Sequence, residues 1–93
     1  MTKYVYLFCH RCNVSGSLTT AAYSSLKRAV KEYEKMRDYM IGQPVNCVSE
    51  ETKTLPLGLG RTDEIPVCHC YVGPKGGNTA CDSYYVVKKV LNN

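Results

Sequence analysis

The sequence predicts an α+β domain, an antiparallel sheet of three to five strands with one helix packed on one face, in ββα…ββ order. Three observations carry that expectation. Only Ser24–Gly42 shows helical periodicity, with apolar residues at Leu26, Ala29, Val30, Tyr33, Met36 and Met40. The segments 3–9, 18–23, 65–72 and 82–91 are rich in aromatic and β-branched residues that alternate between two faces. A chain of 93 residues makes one domain, residues 1–93, which buries only roughly 60–65% of its unfolded surface. One helix on one sheet is about what it can build.

Lys3–Cys9 is the first strand. Tyr4, Tyr6 and Phe8 fall on one face and Val5, Leu7 and Cys9 on the other, so both faces are apolar and the strand reads as interior. Asn13–Gly16 is a turn by composition. Leu18–Tyr23 can return antiparallel, and its small residues offer a bed on which the helix can approach closely. Ser24 or Ser25 can cap the helix, Gly42 can end it in the left-handed conformation, and Pro44 blocks continuation. An Asp at Leu26 or Val30 is expected to unfold the domain by burying an unpaired charge.

Residues 42–66 hold three of the four prolines and an acidic pair, Glu50-Glu51. Val45–Ser49 reads as a short edge strand and Leu55–Arg61 as a loop carrying exposed leucines. Ile65–Val72 is a strand containing Cys68-His69-Cys70. Gly73–Asn78 is a turn signal that makes a second hairpin with Asp82–Leu91. Lys88 and Lys89 interrupt both faces of that last strand, a habit of edge strands. The first and last strands are expected centrally or side by side.

Chemistry-bearing residues are few. The six cysteines include Cys9-x-x-Cys12 and Cys68-x-Cys70, four thiols that could hold one Zn²⁺ in a tetrahedron if the hairpins lie together. The competing reading is free, buried, structural cysteines, with no cofactor. Cys47 and Cys81 stand apart from both pairs. The C-x-x-C does not open a helix after a strand, which argues against redox catalysis. Neighbouring His and Cys on a strand point to opposite faces, which argues against a Cys–His nucleophile. There is no phosphate-binding loop. An enzyme is therefore not expected.

The net charge is +4, with basic ends and helix and an acidic 42–66 stretch. That balance is milder than the dense basic stripe of most nucleic-acid binders. Arg28, Lys31 and Lys35 recur at helical spacing, and with Tyr39, Arg61 and Lys75 they form the candidate contact residues for a partner. Tyr and Arg side chains are the usual anchors of such interfaces. No segment reads as a signal peptide or a membrane span, so a soluble cytoplasmic protein with no membrane contact is expected.

A first strand right after Met1, the hairpin-to-helix run AAYSSLKRAVKEYEKM and the late strand YYVVKKV together resemble small phage-encoded α+β accessory proteins of the anti-defence, anti-CRISPR-like type. The resemblance covers about residues 3–40 and 83–91 and carries over no individual functional residue. It implies a non-enzymatic inhibitor or modulator that occupies a surface of a host machine, a protein or ribonucleoprotein complex in the host cytoplasm. The alternative is a small zinc-stabilised protein that binds RNA or single-stranded DNA.

Overall fold

A computed structural model describes residues 3–12, 15–43, 46–52, 64–74 and 82–91. In chain order the elements are β1 (Lys3–Arg11), β2 (Leu18–Tyr23), α1 (Leu26–Ile41), β3 (Asn46–Thr52), β4 (Glu64–Pro74) and β5 (Asp82–Leu91). The strands form one five-stranded sheet in the order β2-β1-β5-β4-β3, with every neighbouring pair antiparallel. The α+β class and ββα…ββ order follow the sequence. The first and last strands do lie side by side, and β5 is the central strand.

Hydrogen bonding closes the β1–β2 hairpin at Cys12 and Ser17, where Cys12 N–H donates to the Ser17 carbonyl at 3.0 Å. Gly16 adopts φ +74° in the turn, a conformation that costs other residues roughly 1 kcal/mol or more. The chain then leaves β2 at one edge of the sheet and returns at the opposite edge as β3. The helix spans that gap and touches all five strands.

Alternation along the strands sorts the core into two faces. Against the helix lie Cys70, Val72, Tyr84 and Val86, joined by Tyr6, Phe8, Tyr23, Val67 and Cys68. Ala29 and Tyr33 of α1 enter this layer at 0% and 1% exposure. Phe8 meets the Tyr33 ring edge-on at 6.5 Å and lies nearly parallel to Tyr84 at 6.4 Å. The opposite face holds Cys9, Tyr85 and Val87 with Leu7 against them, and the buried His69 belongs to it by register with Tyr85.

Several local expectations need correction. Gly42 ends the helix at φ −70°, in the right-handed region. Its N–H donates to Asp38, and Gln43 N–H donates to Met40, so an ordinary closing turn satisfies the last carbonyls. Leu26 is 38% exposed and Val30 half-buried. The inward stripe therefore runs through Ala29, Tyr33, Met36 and Met40, and the 3.6-residue turn puts Leu26 and Val30 on its flank. On β2, residues 18–22 are exposed. They are not the bed of the helix, and only Tyr23 joins the core. Lys88 and Lys89 do not mark an edge. Lys88 lies 3.9 Å over the Tyr4 ring, and Lys89 sits opposite Glu64 in the register with β4.

Pro66 sits in β4, an interior strand. It is tolerated because the β4–β5 register slips between Pro66 and Cys68, and a bulge is where a residue without an N–H does least harm to the ladder. The edge strand expected over Val45–Ser49 appears as β3, one residue later and longer. The Leu55–Arg61 loop and the turn after Pro74 lie outside the described residues.

Replacing Tyr33 with Ala should remove about 3–5 kcal/mol of stability, read as a large fall in urea midpoint. Leu26→Asp should cost within about 0.5 kcal/mol, and Ala29→Asp should prevent folding. Equal losses at Leu26 and Ala29 would show that the helix is rotated from this placement.

Candidate functional site

The four cysteines expected to share a metal do not meet. β1 continues as extended chain through Arg11, and residues three apart on a strand point to opposite faces. Cys9 therefore lies on the face away from the helix, packed with Tyr85 and Val87, while Cys68 and Cys70 pack toward the helix. Among the described residues no group of three or more His, Cys, Asp or Glu side chains is placed to hold a metal ion. The expected Cys9–Cys12–Cys68–Cys70 set is thus divided, with Cys9 on one face of the sheet and Cys68 and Cys70 on the other.

Cys9 accepts a bond from the Thr20 hydroxyl at 3.7 Å, and the Tyr85 hydroxyl beside it also favours the thiolate. Burial nonetheless outweighs both and pushes the thiol pKa up. Only the thiolate ligates metals or attacks electrophiles, so this environment suits a packed, neutral thiol. Burial also raises Tyr84, aided by Asp82, and raises Tyr85 well above the usual phenol range, aided by Cys9.

A second constellation is not legible from spacing. His10 stacks on Tyr84 at 4.3 Å with the rings within 5° of parallel. Its Nε2 lies 3.2 Å from Asp82 Oδ2. These residues are 72 apart in sequence and meet because β1 and β5 pair with His10 opposite Tyr84. The pair ties the end of β5 to β1. A hydrolytic triad would need a nucleophile on the other ring nitrogen, and none is hydrogen-bonded there among the described residues.

The outer face of α1 is the remaining candidate. Arg28, Lys31, Lys35 and Tyr39 are all exposed, with Tyr39 at 62%. Their positions on the helix place them within one broad outward stripe, and Lys27 adds a further exposed cation beside it. Arg61 and Lys75, the other two expected contact residues, lie outside the described residues. Lys35 pairs with Glu32 at 3.7 Å, and Arg37 pairs with Glu34 and Asp38. Lys27, Arg28 and Lys31 form no ion pair among the described residues.

The order of these charges is informative. The first acidic residue of the chain is Glu32, so every charged residue of β1, β2 and the first six positions of α1 is a cation. The first turn of the helix holds no acid and the last turn no base. This runs against the helix dipole, whose positive end lies at the N-terminus, at a cost of about 0.3–1 kcal/mol per misplaced charge. Ser25, the N-cap, makes no side-chain bond that would offset it.

No family model matches this chain, and no curated protein and no solved structure matches it either. Among the described residues no helix is long and apolar enough to cross a membrane.

The buried acids give a pH prediction. Cys9, Tyr84 and Tyr85 have folded-state pKa values above their unfolded ones, taken as 9.0 for the thiol and 10.0 for the phenols. The stability they contribute is fully present below those unfolded values and is lost as pH rises through the folded ones. The urea midpoint should therefore begin to fall near pH 9 and keep falling across the alkaline range above it. Near the lower end, mass-spectrometric mapping should show iodoacetamide alkylating Cys9 far more slowly than half-buried Cys12. Faster labelling at Cys9 would contradict the buried neutral thiol.

Proposed function

We propose that this chain is a non-enzymatic binding protein that inhibits or modulates a larger host machine by occupying part of its surface. The observation that carries this reading is the set of cations on the N-terminal half of α1. Lys27, Arg28 and Lys31 are exposed and lack acidic partners among the described residues, and Lys27 and Arg28 stand in the first turn, where cations disfavour the helix. Departures from a local stability rule concentrate where a protein meets its ligand. Exposed Tyr39 extends the same stripe and supplies an amphipathic ring of the sort that anchors protein interfaces.

An acidic protein surface fits this stripe. Opposite charge would speed encounter and fix orientation, and the aromatic ring would provide the apolar part of the contact. The resemblance to phage anti-defence proteins agrees with such a role. An enzymatic role draws no support from His10, which pairs with Asp82 and stacks on Tyr84 without a bonded nucleophile.

Two sets of variants test the reading. Lys27→Glu should stabilise the fold by about 0.3–1 kcal/mol through the helix dipole, measured as a raised urea midpoint. Arg28→Glu with Lys31→Glu should abolish capture of the host partner while the chain stays folded. Capture by the unaltered chain should survive nuclease treatment. Loss of capture on nuclease treatment, with a steep fall in affinity as salt rises, would establish a nucleic-acid ligand instead.

A further inference from the structure

We infer that the free edge of β2 is a docking edge for an extended, acidic segment of a partner protein, which adds to the sheet as a sixth strand. The inference rests on the binding reading above and names the conformation and charge of what is bound.

An edge strand presents a row of unpaired backbone N–H and C=O groups, and proteins ordinarily blunt it with Lys, Pro or a bulge. None of these devices is present on β2. Leu18-Thr19-Thr20-Ala21-Ala22-Tyr23 holds no charge and no proline, and its register with β1 is unbroken from Arg11↔Leu18 to Tyr6↔Tyr23. Residues 18–22 are exposed, with Leu18 at 52%. The small Thr19, Thr20, Ala21 and Ala22 side chains leave room for a backbone to approach. A strand of this kind is the standing template for β-strand addition, in which main-chain bonds give affinity and alternate side chains give selectivity.

Charge chooses the occupant. Arg11 is the register partner of Leu18 at one end of β2. Lys27 and Arg28 follow its other end in the first turn of α1. No acidic residue precedes Glu32, so β1, β2 and the first turn of α1 themselves bring only cations to this edge, and the nearby Asp82 carboxylate is paired with His10 on β1. A second copy would bring the same cations face to face in a two-fold β2–β2 pairing, with like charges at both ends. An acidic strand meets them with opposite charge. The far edge of the sheet differs, since β3 carries Glu50 and Glu51 in its sequence.

The test is a titration followed by amide NMR, using a blocked peptide of about nine residues that alternates Glu with Val and Thr, long enough to cover an average strand. Its Lys-for-Glu counterpart is the control. Shift changes should concentrate on Leu18–Tyr23, and the Lys peptide should bind at least about tenfold more weakly. Ala22→Pro should remove the response. If that variant fails to fold, Ala22→Glu decides, because the exposed site tolerates it while repelling the acidic strand. Equal binding of the two peptides, or changes centred on β3 or the outer helix face, would overturn the inference. So would β2 shifts that grow with protein concentration alone, which would identify a second copy, or a (dT) oligonucleotide moving β2 resonances where the peptide does not. Capture abolished by Arg28→Glu with Lys31→Glu, alongside a peptide that leaves β2 silent, would retain the binding reading and discard the edge. A β2 response to the acidic peptide with charge-insensitive host capture would do the reverse.

Discussion

The fold depends on one aromatic contact, Tyr33 of α1 set edge-on against Phe8 of β1. A domain with one helix has one chance to cover a sheet, and that cover must be held at a fixed place and angle. Tyr33 supplies a large buried surface, and neighbouring Ala29 is small enough to bring the helix backbone close. From Phe8 the stacking continues to Tyr84 on the central strand and from Tyr84 to His10. The chain has no Trp and a single Phe. Tyrosines do most of this packing, which is why buried phenols and a buried thiol tie its stability to alkaline pH.

Fixing the inner side of α1 in this way leaves its outer side without a structural task. The charges at its ends also work against the helix that carries them, with Lys27 and Arg28 in the first turn and Asp38 in the last. A sequence selected for helix stability alone would reverse that order. Edge strand β2 shows the same tension in another form, since it lacks the usual protection against pairing. The uncharged β2 edge and the cations Lys27 and Arg28 are close neighbours in the chain. They are the two features on which the proposed binding role rests.

Much of the architecture was legible because it depends on local period. The 3.6-residue stripe located α1, and strict alternation located β1, β2, β4 and β5 and sorted Tyr6 and Phe8 from Leu7 and Cys9. Contacts set by register were not legible. Nothing in the spacing of His10, Tyr84 and Asp82 foretells that β1 and β5 will pair with those residues in line. The cysteines misled for a related reason. C-x-x-C brings two thiols together only in a turn, and here Cys9 lies inside a strand that runs on to Arg11. Leu26 fits the helical period but falls on the flank of the buried stripe at 38% exposure, so period alone overstated its burial. Of the contact stripe, Arg28, Lys31, Lys35 and Tyr39 could be read from spacing. The absence of any acid before Glu32 could be read from the sequence too, but the nearness of these cations to an edge strand needed the strands and helix to be placed in space.

The most direct test of this account is native-state hydrogen exchange on the dilute, isolated chain. The slowest amides should be those of Tyr84–Val87 and their β1 partners, opening only with global unfolding. On β2, the amides pointing away from β1 should exchange quickly, alternating with slower ones that pair with it. Uniform protection along β2 would mean that its edge is already covered, and early exchange in Tyr84–Val87 would mean that the Tyr33–Phe8–Tyr84 packing does not hold the fold.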